Sequence, residues 1–432
     1  MKTESRILFY EKLNVQEIFP FSFICFLVGI LIIFGLRFPN LIKGKKTPLK
    51  HLPYDIVLNI LTRPPVKLVM RLSCVSKSLD SSIISPHFIS THLNNINNKD
   101  DEDDDDHHYL IHMPASPPRT RSINRSICTV ALDRTFDGIS EVRIPSDFSS
   151  NVADIIGSCN GLLCLVDYTN NIYLWNHSIR KFKKLPRTCL KNLNYATLGF
   201  AYHSQNNDYK VVRISSTSWL PTLPLPLSEI EVYTLSSDSW GRVGIDFTTN
   251  GVFFNKNNLL TTPLVSGALH WMAVKSEGEE IRDCEMIISF DVNSEEFRKL
   301  AQPHGSIDDN TINECLASFK GKLAFITYGH SEQLGFQHSI WVMREYGVVE
   351  SWNKLFVLPF ETPSYCVAFT EYGSLLIFMD LCTALENGKF QFLLIDTETR
   401  QEKRDPDIQY ISTVAAFMES LVLLDGANVV SY

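Results

Sequence analysis

One strand–turn–strand pattern recurs along the chain and constrains its fold more than any other feature. Each unit is a run of alternating apolar residues, a polar tight turn and an aromatic or apolar return strand. The turn positions of the five units are 58, 57, 52 and 53 residues apart, at Asn176, Thr234, Asp291, Met343 and Asp396. A second hairpin precedes most units, so each period holds about four strands.

Four strands in each long period are typical of the blades of a β-propeller. The sequence therefore predicts a mostly β fold, with a propeller of about six blades over residues 109–432. The sixth blade would combine strands from residues 109–145 with the last apolar run, Ile411 to Leu424. Such a blade pairs the two ends of the domain and leaves no open sheet edge. A β-sandwich is the other all-β architecture, but it does not explain the recurrence.

The motif most like a catalytic one is Gly157-Ser-Cys-Asn-Gly161, which has the spacing of a nucleophile elbow with cysteine. An elbow requires a helix after the turn, whereas the residues after Gly161 continue as a strand. Asn160-Gly161 is instead a common hairpin signal. We therefore expect Cys159 and Cys164 to be packed thiols.

The remaining composition also argues against an enzyme. No metal-ligand spacing, phosphate-binding loop or pair of catalytic carboxylates is present in the sequence, so we predict no catalytic residue, no metal and no cofactor. A formal net charge of −8 argues against a protein that holds nucleic acid. His270 and the tryptophans of the repeats are expected to pack inside the blades; these are Trp175, Trp240, Trp271, Trp341 and Trp352.

A short segment ahead of the repeats has helical signals. Pro53 suits the first turn of a helix, and Pro64-Pro65 must end it. A second helix is expected over 66–79, and a last short one over 86–93. A segment with only a few short helices buries too little apolar surface to be stable alone. We therefore expect its apolar face to bind a partner. The apolar stripe of the first helix is Ile56, Val57, Ile60 and Leu61.

Residues 51–93 resemble the F-box, the helical module by which substrate receptors dock on the Skp-type adaptor of a cullin-based ubiquitin ligase. The matching elements are LPYDI at 52–56, ILTRPPVK at 60–67, MRLSCVSK at 70–77 and HFISTHL at 87–93. The sequence departs from the family at Pro64, where leucine is usual, and at Leu79, where tryptophan is common. Both departures leave the adaptor affinity open.

The resemblance implies which residues meet the adaptor. It assigns eight residues to the adaptor-binding face or to its direct support: Leu52, Pro53, Ile56, Ile60, Leu61, Val66, Leu68 and Val75.

The repeats in turn resemble the F-box-associated domain of plant F-box proteins, including the kelch-like ones. The motifs are SCNGLLCL at 158–165, WN at 175–176, DYKVV at 208–212 and GALHW at 267–271. The resemblance implies a domain that captures a substrate protein. We expect the target at the central-channel face and its loops, such as 219–226 and 244–260.

Together the resemblances imply a non-enzymatic substrate-recognition subunit of a cullin-type (SCF) ubiquitin ligase. Its partners would be the Skp-type adaptor, through it the cullin, and an unidentified protein substrate. The alternative is a ligand-binding or enzymatic propeller with a vestigial F-box.

Three further predictions concern the domain boundaries and the location of the protein. Residues 1–46 form an N-terminal extension, 49–93 the F-box and 94–108 an acidic linker. The extension contains 19 uncharged residues, 18–36, which is enough for a transmembrane helix. We expect a cytoplasmic or nuclear protein; the alternative is a membrane-anchored receptor whose F-box and propeller are cytosolic.

Overall fold

The computed structural model describes most of the chain from Pro53 onward. The described residues are 53–97, 108–114, 127–132, 140–145, 148, 153–167, 169–188, 190, 195–216, 228–244, 252–255, 260–277, 280–303, 312–331, 335–380, 390–405, 412–424 and 428–432. The apolar segment 18–36 lies outside them, so its transmembrane helix stays a prediction. Among the helices that the structure does describe, none has the length and apolar character needed to cross a bilayer.

The chain divides into two compact units, Met1–Pro64 and Pro65–Tyr432, which are described separately. The described part of the first unit contains α1 (Tyr54–Leu61). The second unit contains α2 (Val66–Ser73), α3 (Lys77–Ile83), α4 (Pro86–Asn97) and all the described strands.

Prolines set the boundary between the first two helices. Pro53 is the N-cap of α1 and Pro65 is the N-cap of α2. Proline cannot donate the backbone hydrogen bond that would continue a helix, so α1 ends before Pro64. The predicted end of the first helix is therefore confirmed.

The prediction of one helix over 66–79 is wrong, because the chain leaves the helical conformation after Ser73. Ser76 is extended, and its hydroxyl accepts a hydrogen bond from the Leu79 backbone N–H at 3.1 Å, which starts α3 anew. The last predicted helix is also longer than expected. It runs to Asn97, so residues 94–97 of the predicted linker are helical.

The described strands form six antiparallel sheets, which are the six predicted blades. Blade I contains β1 (His108–Pro114), β2 (Ile127–Leu132), β3 (Ser140–Arg143) and β25 (Ser412–Met418). Blade II contains β4 (Ala153–Cys159), β5 (Leu162–Asp167), β6 (Ile172–Asn176), β7 (Lys181–Lys184) and β26 (Val429–Ser431). Blade III contains β8 (Tyr195–His203), β9 (Asp208–Ser216), β10 (Ser228–Thr234) and β11 (Ser239–Val243).

The other three blades follow in chain order. Blade IV contains β12 (Val252–Phe254), β13 (Leu264–Val265), β14 (Ala268–Glu277), β15 (Glu280–Asp291) and β16 (Glu296–Leu300). Blade V contains β17 (Ile312–Phe319), β18 (Lys322–Ser331), β19 (Gly335–Met343) and β20 (Trp352–Phe360), with a 3-10 turn at Val349–Ser351. Blade VI contains β21 (Ser364–Phe369), β22 (Leu375–Asp380), β23 (Phe390–Ile395) and β24 (Glu402–Asp405).

The blades form a closed ring. Contacts between the inner strands run around the ring. β25 contacts β4, β4 contacts β8, β8 contacts β14, and β14 contacts β17. β17 contacts β21, which contacts β25 again. β25 pairs along its whole length with β1, from Ser412 opposite Pro114 to Met418 opposite His108. Blade I is therefore built from both ends of the domain, as predicted.

The five periodic turns share one backbone feature, a residue of positive φ, although the turn of blade V is longer than the others. Each predicted turn position ends the third strand of its blade or follows it directly. The residue four positions later has a positive φ in every case, at Arg180, Asp238, Glu295, Gly347 and Arg400. In the turns that begin at Asp291 and Asp396, the carboxylate accepts two backbone N–H hydrogen bonds at 2.7–2.9 Å. These Asx turns explain why Asp recurs at the turn positions.

The Gly157–Gly161 motif forms a hairpin between β4 and β5. Asn160 and Gly161 have φ values of 51° and 76°, as the two central residues of a type I′ turn do. Gly161 also lies against the segment after β25. A Cβ at Gly161 would overlap the Ser420 side chain and lie 2.8 Å from the Met418 carbonyl oxygen. The turn therefore requires glycine for two reasons.

Gly161→Ala is expected to destabilise the propeller by about 2–4 kcal/mol, through left-handed backbone strain and overlap with Ser420. Gly321→Ala is the matched control, because Gly321 has φ 71° in an equivalent hairpin and open space around its Cβ position. The control should lose only about 1 kcal/mol. Urea unfolding measures both, and equal losses would contradict the close approach of Ser420.

Three buried histidines make stability depend on pH. His112, His270 and His338 are almost fully buried. Burial lowers the pKa of His112 to about 3, and those of His270 and His338 to about 4. Because these folded-state pKa values lie below the unfolded value of about 6.5, the unfolded chain binds more protons in acid. Their contribution to stability is complete above about pH 6.5 and is lost as the pH falls toward about 4.

We expect unfolding free energies to fall between pH 7 and pH 5, by up to about 1.4 kcal/mol per pH unit for each buried histidine. His270→Gln should lower the stability at pH 7 but reduce this acid loss. The exposed His330→Gln is the control and should leave the acid loss unchanged. Urea unfolding at the two pH values is the measurement. If the unfolding free energy of His270→Gln fell between pH 7 and pH 5 by as much as that of the wild type, His270 would not take up a proton on unfolding.

Candidate functional sites on the helices and the propeller

The predicted apolar stripe of α1 divides into two faces. Val57 and Leu61, one helical turn apart, are buried. On the other face Ile56 is 45% exposed and Ile60 is half-buried. Pro53 at the start of the helix is also exposed. The first unit therefore presents Pro53, Ile56 and part of Ile60 to solvent.

The predicted adaptor-binding residues of the second unit are mostly buried. Val66 and Leu68 of α2 lie in its interior, and Val75 is half-buried. Leu79, which stands where tryptophan is common in the family, is also buried. Any role of Val66 and Leu68 is therefore one of support. Leu52 lies outside the described residues, and adaptor contact by the set stays a prediction.

The N-terminus of α2 is held by a carboxylate from the propeller. Glu419 directly follows β25, and its carboxylate accepts a hydrogen bond from the Lys67 backbone N–H. Burial raises the pKa of Glu419, while the Lys67 charge and this hydrogen bond lower it in part. A carboxylate suits a helix N-terminus, because it satisfies free N–H groups and the helix dipole. The N-cap residue Pro65 makes no side-chain cap of its own.

A second contact joins α4 to the propeller. Ile89 and Leu93 pack against the apolar cluster between blades II and III, which includes Leu162, Phe200 and Leu424. The helices of the second unit therefore rest on the propeller at two points.

The connections of the propeller lie on two opposite faces. Because neighbouring strands are antiparallel, hairpins between the first and second strands share one face with those between the third and fourth. This is the turn face, and it includes Gly161, with Ser420 against it. Glu419 adjoins Ser420, so α2 is held on the turn face. The other strand ends lie at the loop face; they include the ends of β9, β11, β16 and β22. The predicted target loop 219–226 and most of 244–260 lie outside the described residues.

The centre of the ring is crossed by the segment 260–263. The Thr262 backbone N–H donates to the Ile156 carbonyl of blade II at 3.1 Å, and its hydroxyl donates to the Leu198 carbonyl of blade III at 2.7 Å. Leu260 packs in the apolar cluster of blades V and VI. The segment therefore links opposite sides of the ring. The sequence placed residue 260 in a loop expected to bind the target, but Leu260 is buried.

Polar contacts join successive blades at the turn face. Each runs to a turn between the third and fourth strands of the next blade. The contacts are Ser420–Ser178 at 3.3 Å, Lys183–Asp238 at 3.1 Å, Lys210–Glu295 at 2.7 Å, His270–Tyr346 at 2.8 Å and Lys320–Glu398 at 2.7 Å. No sequence signal pointed to them, because the partners are 55 or more residues apart in all five contacts and their types differ.

The tryptophans pack the blades, as predicted. Three of them donate their ring N–H to carbonyl oxygens of the preceding blade or the segment after it. These bonds are Trp240 to Pro186 at 2.9 Å, Trp271 to Leu198 at 3.3 Å and Trp352 to Ala301 at 3.0 Å.

The thiol of the elbow-like motif is unsuited to catalysis. Burial raises the pKa of Cys159 to about 12, and it raises the pKa of Cys164 as well. A thiol with such a pKa is protonated at neutral pH and is a poor nucleophile. Among the residues that the structure describes, no group of three or more His, Cys, Asp or Glu side chains is placed to hold a metal ion.

Glu419→Ala should remove the cap of α2 and lower the local stability of that helix by about 1 kcal/mol. Hydrogen exchange of the α2 amides measures this change, and exchange should accelerate about fivefold. Glu361→Ala is the control, because Glu361 is exposed in the propeller. Unchanged exchange in Glu419→Ala would contradict the capping role.

The chain was compared with known proteins. The sequence model of the F-box associated β-propeller domain matches residues 121–423. F-box protein At3g07870 of Arabidopsis thaliana is 29% identical over 329 residues, which cover 71% of this chain and 72% of that protein. F-box/kelch-repeat protein At3g23880 of the same plant is 26% identical, over 72% of this chain and 80% of its own. F-box protein CPR1, also from Arabidopsis thaliana, is 25% identical, over 86% of this chain and 89% of its own.

Similarity to solved structures is weak. A putative 6-phosphogluconolactonase from Bacteroides uniformis aligns over 72% of this chain and 99% of its own, with 10% identity and a TM-score of 0.39. The assignment rests instead on the match over 121–423, the six blades and the relatives. The chain belongs to the plant F-box proteins that carry a C-terminal F-box associated β-propeller domain.

Proposed function

We propose that the chain is the substrate-recognition subunit of a cullin-type (SCF) ubiquitin ligase. The observation that carries the proposal is the combination of an F-box family sequence with an F-box associated propeller in one chain. The F-box binds the Skp-type adaptor, and through it the cullin. The propeller binds the protein to be ubiquitinated.

The first step of this function is adaptor docking. The exposed apolar surface of Pro53, Ile56 and Ile60 supports it, because a partner that covers these side chains removes apolar area from water. Leu61 in the first unit, and Val66 and Leu68 in the second, are buried, which agrees with a supporting role.

The second step is target capture. The segment 260–263 occupies the centre of the ring, and helices α2 and α4 lie against the propeller. The loop face, on the side away from the α2 contact at Glu419, is therefore the surface that we assign to the target. β9 and β11 end at this face, and in the sequence they are followed by the proline-rich stretch 219–226 and the stretch 244–251.

The subunit acts by proximity and performs no chemistry itself. Holding adaptor and target in one chain raises the effective concentration of target lysines near the ubiquitin carrier. The raised pKa of Cys159 agrees with a non-catalytic role. We propose a cytoplasmic or nuclear location; a cytosol-facing anchor through 18–36 is the alternative.

Ile56→Asp is expected to abolish adaptor binding, because it places a charge in an apolar interface. Ile56 is 45% exposed, so the fold should tolerate the change. Wild type and variant are purified from plant cells under proteasome inhibition, and the co-purifying proteins are quantified. The adaptor should fall at least about tenfold with the variant, whereas the target should remain bound to both.

Tyr195→Asp is the matched control, since Tyr195 is an exposed apolar side chain of the propeller. It should leave adaptor recovery unchanged. The double variant Leu52→Ala with Pro53→Ala tests the same face by truncation. Absence of the adaptor from the wild-type sample, or equal recovery with Ile56→Asp and the double variant, would overturn the proposed function.

A further inference from the structure

The outermost strand of blade V differs in length from those of the other blades. β20 has nine residues. The outermost strands of the other blades have three to five residues each; they are β3, β26, β11, β16 and β24. Blade V therefore offers about twice as much sheet edge as the longest of these.

β20 also lacks the charges that four of the other outermost strands carry. The sequences of these four are SEVR, SWGRV, EFRKL and EKRD, while the three-residue β26 of blade II is uncharged. The sequence of β20 is WNKLFVLPF, in which Lys354 is the one charged residue and the last six residues are uncharged. The Lys354 ammonium lies over the Trp341 ring of the neighbouring strand, 4.7 Å from its centroid. Charged side chains at sheet edges prevent pairing with other chains, and this edge has few; Pro359, next to its end, removes one backbone donor, so the edge offered for pairing is the part before Pro359.

The strand is anchored on one side and open on the other. It pairs with β19, and the sheets of the described residues show no strand beyond it. Phe356 and Leu358 pack against the apolar cluster of blades V and VI. Leu355 and Val357 are 40% and 38% exposed. A register shift opposite Ile340 and Trp341 makes Leu355 the extra residue of a β-bulge.

We propose that β20 is a docking edge for an extended segment of another protein, which adds to blade V as a fifth, antiparallel strand. In this mode the backbone of the edge strand supplies the hydrogen bonds, and alternate side chains supply the selectivity. The exposed side chains Leu355, Val357 and Pro359 would contact apolar residues at every second position of the segment. Antiparallel addition continues the pairing of the whole blade.

The edge is too narrow to be the interface of a stable dimer of this chain. A strip about 30 Å long and about 10 Å wide gives an area near 300 Å² on each side. A stable interface between folded proteins needs about 800 Å² on each side. A single extended segment needs no more than this strip, so we assign the edge to a segment and not to a second copy.

The charges at the two ends of β20 indicate the polarity of the segment. Lys354 is near the start of the strand, and the exposed Glu361 directly follows its end. The N-terminal end of an antiparallel segment lies beside Glu361 and favours a basic residue. Its C-terminal end lies beside Lys354 and favours an acidic one. The proposal uses no residue of the helices, so it stands independently of adaptor docking.

The probe is a labelled nine-residue peptide that begins with lysine, alternates valine and threonine, and ends with glutamate. The control peptide has proline in place of its central valine, which removes a backbone donor and prevents strand pairing. The full chain should bind the probe at least about tenfold more tightly than the control in fluorescence anisotropy. Bound probe should also slow hydrogen exchange in the proteolytic fragment that contains 352–360.

Val357→Lys places a charge on the exposed row and should weaken probe binding at least about tenfold. Ile84→Lys adds the same charge at an exposed isoleucine of the helices and should leave binding unchanged. Four results would each overturn the proposal. They are absence of probe binding at millimolar peptide, equal binding of the control peptide, binding unaffected by Val357→Lys, and a dimer of the full chain that Val357→Lys dissociates.

Discussion

The pairing of β25 with β1 is the interaction on which the rest of the propeller depends. Blades III to VI are each made from one continuous stretch of chain, and blade II adds only the short outer strand β26, whereas blade I takes its innermost strand, 412–418, from the far end of the domain. Without this pairing the ring would have two open sheet edges, at β1 and at β25. The closing strand also fixes the segment after it, where Ser420 fills the space above Gly161. In addition, the Asn176 amide donates to the carbonyl oxygens of Ser420 and Val422 at 3.1 and 2.9 Å.

Apolar and polar contacts between blades contribute in different ways. Apolar clusters fill the space between neighbouring sheets, and burial of this area supplies most of the stabilisation. Apolar packing is not directional, so it tolerates small slips between sheets. The hydrogen bonds and ion pairs at the turn face are directional and fix how far each blade can rotate against the next. His270 belongs to this set, which links the relative position of blades IV and V to the protonation of one imidazole.

The blades were predictable from the sequence because a repeated unit carries its signal several times. The Asn160-Gly161 hairpin and the spacing of the turn residues are local, so they can be read without knowledge of the fold. The break between α2 and α3 was missed because Ser76 acts as an N-cap inside a run with helical periodicity. The crossing of the ring by Thr262 and the cap that Glu419 provides could not be predicted. They join residues that are distant in the chain, and their side chains have no spacing or type that marks the contact. In the candidate adaptor site, the family resemblance assigned residues to the adaptor-binding face. It did not predict that Ile56 is exposed while Leu61 is buried.

The position of the closing strand has a consequence for synthesis of the protein on the ribosome. Residues 412–418 are made after all the strands of blades III to VI, so the propeller cannot close until those blades have been translated. The same is true for the cap of α2, because Glu419 follows the closing strand directly. The helices are made before the strands but gain this contact only after β25 has been translated. A chain cut short before residue 412 would expose the apolar edge of β1 and leave α2 uncapped, and such a product would be open to aggregation and to the proteases that remove incomplete chains.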